Sequence, residues 1–218
     1  IAKLQNLKEF EELHWEGGFE DYLDLVKANP KVVRSAFQRL YDMIISYGYE
    51  EYTEIKKKIT HYTFFDDPRH DGADAIFGLD ISLMKFVHVI KAAAYRYGAE
   101  KRILLLHGPV GSSKSTIVRL VKKGLQDYPY TPEGAVYTHE WHMPDGEIIP
   151  CPVNEEPLHL VPLEWRPNVV KELDLGRAEY PIVVNKELCP CCRYNYKMLL
   201  QHYKGDWEQM IGHVRVKR

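Results

Sequence analysis

The run Gly108, Pro109, Val110, Gly111, Ser112, Ser113, Lys114, Ser115 and Thr116 carries the most specific chemistry in the chain. Glycines at this spacing let successive backbone N–H groups turn inward as a concave nest, and a helix starting behind them adds its partial positive charge. Such a loop holds phosphates. Lys114 is placed to reach the β- and γ-phosphates of a nucleotide, and the Ser115 hydroxyl to ligate Mg²⁺. One position departs from the pattern: the glycine usual before the lysine is Ser113. A side chain there narrows the conformations open to the loop and crowds the phosphates.

A second group of reactive residues lies further on. All four cysteines, Cys151, Cys189, Cys191 and Cys192, fall in the last third of the chain. Cys189 and Cys192 form a CxxC pair that suits one edge of a tetrahedral zinc site, with Cys151 and His159 as completing ligands. The gaps are those of no standard finger, so reduced, unmetallated thiols and a redox-active pair stay open as readings. His88 and His107 read as structural. Tyr194, Tyr196 and Tyr203 lack a basic surround and read as core or interface rather than as a platform for stacked bases.

These residues need elements to position them. Arg102 to His107 is a short, nearly continuous apolar run before the loop, which predicts a strand buried on both faces in a parallel sheet. After the loop, Ile117, Val118, Val121 and Leu125 predict an amphipathic helix. Ahead of the strand, Asp80 is placed to cap a helix whose stripe is Leu83, Phe86, Val87, Ile90 and Tyr97, closed by Gly98. Ile76, Phe77 and Gly78 stand where nucleotide-binding domains of the AAA+ class carry the segment that lines the adenine pocket.

Towards the N-terminus, Phe19, Tyr22, Leu23 and Val26 predict one helix after Gly17-Gly18. Asn29-Pro30 then predicts the cap and first residue of another, with Val33, Ala36, Phe37, Leu40 and Ile44 on its stripe. Gly48 and the lysine-rich stretch through Lys56, Lys57 and Lys58 predict a linker with a solvated face. Turn chemistry at Asp66-Asp67-Pro68 and His70-Asp71-Gly72 marks a boundary between a helical region, 1–70, and a nucleotide-binding domain, 71–218. Residues 127–168 predict irregular structure with short strands at 135–137 and 158–161. Helices are expected at 173–178 and 194–203.

Composition bounds the function classes. The chain has 218 residues, 29 Lys+Arg against 31 Asp+Glu, and is 45% hydrophobic, which excludes disorder as its overall state. A formal net charge of -2 argues against a general electrostatic grip on nucleic acid or an anionic membrane. No run of about 18 apolar residues and no basic-then-apolar leader is present, so a soluble, intracellular protein is expected. The start at Ile1 and the strand-like stretch at 213–218 suggest a fragment of a longer chain.

Several strings together are specific: Trp15-Glu16-Gly17-Gly18-Phe19, Phe77-Gly78-Leu79-Asp80, the stretch from Leu106 to Thr116, and Cys151-Pro152 with Glu155-Glu156-Pro157-Leu158-His159-Leu160. With them the chain resembles, over essentially its whole length, the N-terminal AAA+ domain of the bacterial PrkA serine protein kinase family. The resemblance implies an α/β P-loop NTPase fold of AAA+ type, a three-layer αβα arrangement incomplete at its C-terminal side and preceded by a small helical region. It implies ATP and Mg²⁺ as ligands, a protein substrate, a homo-oligomer in the full-length form, a cytoplasmic location and a role in stress or developmental signalling. Some members carry serine before the lysine.

An AAA+ ATPase also needs an apolar strand ending in acidic residues, a polar sensor and an arginine from a neighbouring subunit. The one later apolar run, 181–184, leads into Asn185-Lys186, and Glu187 comes too late for that role. The catalytic residues are therefore not identified. His-Arg-Asp and Asp-Phe-Gly are absent as well, so kinase activity enters through the resemblance alone. Two other readings stand beside it: an ATPase driving protein remodelling or proteolysis, and a non-catalytic, nucleotide-switched assembly module.

Overall fold

A computed structural model describes residues 7–177 and 181–218. In chain order the first elements are α1 (Leu7–Leu13), β1 (Glu16–Gly17), α2 (Phe19–Ala28), α3 (Ala36–Ser46), β2 (Tyr49–Glu54), β3 (Lys57–Tyr62) and α4 (Asp80–Ala94). They are followed by α5 (Lys114–Asp127), β4 (Thr138–His142), β5 (Ile148–Pro150), α6 (Arg166–Glu172), α7 (Pro190–His202), α8 (Trp207–Ile211) and β6 (Val214–Lys217). They form two compact units, one from residues up to 33 together with 135–218, the other from 34–134.

In the first unit an antiparallel sheet runs in the order β1-β6-β4-β5. Val214 and Val216 of β6 are buried while Arg215 between them is exposed, the alternation of a sheet with one covered face. Phe19, Tyr22 and Val26 of α2 share a helical face and join Trp141, Leu158, Leu160, Leu199 and Met210 in the core, as the sequence periodicity predicts. Elsewhere the local expectations shift. The strand expected at 135–137 begins at Thr138, and the one expected at 158–161 is a 3₁₀ turn over Pro157–Leu160. Pro157 opens that turn, and the Glu156 carboxylate accepts from the Leu158 N–H at 3.2 Å, so local capping outweighs strand pairing. The helix expected at 173–178 lies earlier, at Arg166–Glu172, where Pro167 suits the first turn; residue 178 falls outside the described residues.

The second unit holds α3, the β2–β3 hairpin, α4 and α5. Helix α3 starts six residues later than Asn29-Pro30 suggested, because Ser35 and Gln38 make a reciprocal cap: Gln38 N donates to Ser35 Oγ at 3.4 Å and Ser35 N to Gln38 Oε1 at 2.9 Å. The expected linker is a hairpin. Ile55 and Lys56, with φ of 45° and 64°, make its two-residue turn, a conformation usually signalled by Asn-Gly and therefore invisible in these residue types. Leu83, Val87 and Ile90 of α4 and Ile117 and Leu120 of α5 share a core with Ile44, Phe64 and Phe65. That core spans the boundary expected at 70/71, so Phe64 and Ile76 belong to one body. Tyr97, placed by periodicity on the α4 stripe, lies beyond the helix end and is exposed.

The largest difference concerns residues 103–107. They are not part of a strand; Ile103 is 96% exposed and Leu105 80%. Among the described residues both sheets are antiparallel, and neither offers this run a neighbour. A strand exists only where another backbone pairs with it, so an apolar run without a partner cannot become the buried middle of a parallel sheet.

Candidate functional site

The 108–116 loop turns directly into α5, whose first residue is Lys114. Gly111 has φ 81°, the left-handed conformation that glycine enters without steric cost. A Cβ on Gly108 would meet Ser112 Oγ at 2.8 Å, so a larger residue there would displace the serine hydroxyl. Ser112 closes the turn by donating from its hydroxyl to Pro109 O at 2.8 Å. The Lys114 ammonium folds back over the loop and donates to Gly108 O and to Ser112 Oγ, each at 2.9 Å, and to Pro109 O. Among the described residues no carboxylate pairs with it. Its charge rests on neutral oxygens.

Ser113 sits at φ 55°, ψ 15° in the left-handed region, a conformation that glycine enters more readily than serine. Ser115 lies in the first turn of α5 and is exposed, as is Val110 at the loop's tip, while Thr116 is half-buried.

Beside the loop is a cavity of about 500 Å³, within the range of small-ligand pockets. Leu79, Phe86 and Val89 form one part of its lining, and Leu105, Gly108 and Lys114 another. The residues expected on the adenine side are placed differently. Ile76 is core and donates its N–H to Phe65 O at 2.9 Å, Phe77 is 82% exposed, and Gly78 turns the chain at φ 70°. Their successor, Leu79, is the residue that reaches the cavity wall.

Two charged clusters that sequence reasoning did not single out brace this unit. Arg119 of α5 holds Asp74 with its Nε 3.0 Å from both carboxylate oxygens, and Lys123 adds a contact at 2.6 Å. Together these cations bring the Asp74 carboxyl down to about 2. His61 bridges Asp80 Oδ1 at 2.8 Å and Asp66 Oδ2 at 2.9 Å, and Tyr52 donates to Asp80 Oδ2 at 2.9 Å. The hydrogen bond to Asp80, then that to Asp66, raises the His61 pKa. Asp80, expected as a cap, is instead the first residue of α4 and is bound by this bridge.

In the other unit, of the four residues expected around zinc, Cys151 and Cys192 come together. They meet His139 and Glu155, which sequence reasoning missed. Cys189 caps α7, where its sulfur accepts from Cys192 N at 3.4 Å. His159 sits in the 3₁₀ turn, and burial, then the Arg166 charge, pushes it down to about 4. Burial likewise takes His139 down to about 4 and pushes the Cys151 and Cys192 thiols up. The signal available in sequence was weak: His139 alternates with Trp141 along a strand, and Glu155 follows Cys151 by four residues. Neither is a spacing that names a site by itself.

Comparison with known proteins gives a consistent picture. The PrkA AAA domain family matches residues 17–217. A Bacillus subtilis (strain 168) protein named "ATP-dependent protease PrkA" is 38% identical over 220 residues, covering 100% of this chain and 30% of its own length. A Geobacillus stearothermophilus protein, "Uncharacterized protein in gldA 5'region", is 37% identical over 105 residues, covering 47% of this chain and 97% of its own length. This chain thus spans about a third of the B. subtilis relative. No solved structure matches. No helix among the described residues is long and apolar enough to cross a membrane.

Proposed function

The chain belongs to the PrkA AAA domain family, and from that premise we propose that it is the Mg·ATP-binding module of a longer, ATP-driven protein. The observation that carries this is Lys114: its ammonium is held 2.9 Å from Gly108 O at the start of a 14-residue helix, beside a cavity of about 500 Å³. The cradle fits a polyphosphate, because Gly108 and Gly111 carry no Cβ and, among the described residues, no acid matches the lysine charge.

When bound, ATP supplies the transferable phosphoryl group and Mg²⁺ neutralises its charge. The chain's own part is positioning. Lys114 exchanges neutral loop oxygens for phosphate oxygens, a charge-assisted and stronger contact. Backbone N–H groups of the loop and of the first turn of α5 would hold the phosphates, and the Ser115 hydroxyl would be the ligand to Mg²⁺. The apolar wall of Leu79, Phe86 and Val89 suits a nucleobase.

What ATP is coupled to belongs to the whole protein. The relative's name supports proteolysis, which ranks ahead of the serine kinase suggested by the resemblance; this chain has neither His-Arg-Asp nor Asp-Phe-Gly to favour the kinase. A cytoplasmic location and a homo-oligomer that supplies an arginine across subunits complete the proposal. Incubating the full-length protein with a protein substrate and γ-labelled ATP separates the activities: ATP-dependent fragments support the protease, and label on serine the kinase. The module itself is tested by melting in Mg·ATP. Saturation at about 100 times the dissociation constant stabilises a folded domain by about 2.7 kcal/mol, and no shift at millimolar nucleotide would overturn the binding claim.

A further inference from the structure

Deep in the unit built from residues up to 33 and 135–218, three different segments aim donor atoms at one point. A ring nitrogen of His139 on β4, the sulfurs of Cys151 and Cys192 and a carboxylate oxygen of Glu155 all lie within 4.8 Å of one another. Cys192 Sγ is 3.3 Å from His139 Nε2, and Cys151 Sγ is 3.6 Å from Glu155 Oε2. Zinc bonded at ~2.3 Å to sulfur and ~2.0–2.1 Å to nitrogen or oxygen places its ligands about 3.5–3.8 Å apart in a tetrahedron. The His139–Cys192 and Cys151–Glu155 gaps lie within a few tenths of an ångström of that spacing, and the others are no longer than 4.8 Å. From them we infer that His139, Cys151, Glu155 and Cys192 form a structural zinc site.

The surroundings are those that a thiolate-metal centre requires. Each sulfur receives an N–H donor: Glu155 N reaches Cys151 Sγ at 3.3 Å, and Trp141 Nε1 reaches Cys192 Sγ at 3.4 Å. Such donors offset thiolate charge and fix ligand orientation. The second oxygen of Glu155 is held by Cys189 N at 2.8 Å, which turns the first towards Cys151. Cys151 N donates to His139 O at 3.0 Å, so the two ligands share a backbone contact. His139, Cys151 and Cys192 are 1%, 3% and 0% exposed, and His139 Nδ1 is buried without a hydrogen-bond partner among the described residues. The nitrogen that faces the sulfur is Nε2, and it is from there that the ring would ligate the metal.

Burial on this scale closes the site to substrate, so the zinc is structural and not catalytic. It ties β4, the 151–155 turn and the first turn of α7 together. Binding replaces the two S–H bonds by two Zn–S bonds and releases both protons to solvent. The neighbouring group Glu16, Glu140 and His142 is different: there the Lys217 ammonium already sits 2.8 Å from Glu140 Oε1. No cation is needed.

The test is elemental analysis of the whole chain purified without added metal, paired with cobalt titration of chelator-stripped protein. About one zinc per chain is expected, with thiolate-to-cobalt charge transfer and the ligand-field bands of a tetrahedral ion. His139→Ala, Cys151→Ser and Cys192→Ser lose both signals, while Cys191→Ser and His159→Ala retain them. Because the ligand variants can fail to fold, wild-type alkylation is the second readout: zinc protects Cys151 and Cys192 but leaves Cys191 reactive. Absence of zinc together with absence of the cobalt-thiolate spectrum overturns the site. So does a spectrum that survives His139→Ala and vanishes in His159→Ala, or protection that fails to distinguish Cys191.

Discussion

Lys114 Nζ lies 2.9 Å from Gly108 O, so the first residue of α5 closes back onto the start of the glycine loop. A cation held by neutral oxygens in a half-exposed loop contributes little to stability and much to ligand capture. Lys114→Ala is therefore expected to melt within about 1 kcal/mol of wild type without nucleotide and to lose the shift produced by Mg·ATP. Parallel melting curves with and without nucleotide check this. A mutant that shifts like wild type would remove Lys114 from the phosphate site.

Ser113 holds φ 55° next to that lysine. A left-handed residue other than glycine costs roughly 1–2 kcal/mol, and glycine at the same position avoids it. Ser113→Gly should stabilise the chain by about 1 kcal/mol against urea, less the entropy glycine gains on unfolding. It should also tighten Mg·ATP, since the side chain no longer crowds the loop. An unchanged urea midpoint would show that the backbone relaxes there.

The His61 bridge makes a pH prediction. Its folded-state pKa is raised, so its protonated form is favoured in the native protein, first by Asp80 and then by Asp66. The stability it adds is fully present below the unfolded value near 6.5 and is lost as pH rises through the folded pKa. Wild type should therefore exceed His61→Gln in melting temperature by most at pH 5.5–6, and the gap should close towards pH 8. A gap independent of pH would mean that the two carboxylates hold a neutral ring.

Arg166 is 7% exposed and spends its guanidinium on backbone carbonyls: Nε donates to Val161 O at 2.8 Å, and the terminal nitrogens to His159 O at 2.8 Å and Lys186 O at 2.9 Å. Removing it orphans several buried carbonyls at once. Arg166→Ala is expected to cost about 3 kcal/mol or more. Lysine, a single-point donor, should recover only part of that loss. Urea unfolding of both variants measures it, and equal midpoints for wild type and Arg166→Ala would refute the staple.

Periodicity made much of the helical frame legible in advance, and the glycine spacing the turn that leads into α5. Phe19, Tyr22 and Val26 repeat at helical spacing because one face of α2 is buried, and Gly111 marks the loop because its φ of 81° favours glycine. The hairpin at Ile55-Lys56 was not legible, because its turn uses residues with no preference for positive φ. Leu104 and Leu105 misled in the other direction: apolar content states a demand for burial, but whether a neighbouring strand satisfies it is a tertiary fact. His139 and Glu155 were hidden for a related reason. Their meeting with Cys151 and Cys192 depends on where β4 and α7 cross in space, which no local spacing encodes.

The pairing of Glu16 with Lys217 has a consequence for how the molecule is made. Strand β6 is the internal strand between β1 and β4, and nearly all of this sequence separates it from β1. Until it has been made, β1 lacks the strand it pairs with, so the sheet of this unit cannot close before Lys217 is in place. Residues 34–134, being contiguous, can complete their own core while the rest is still being translated. Assembly is then sequential, with one fast, local step and one slow step limited by closing the long loop from β1 to β6.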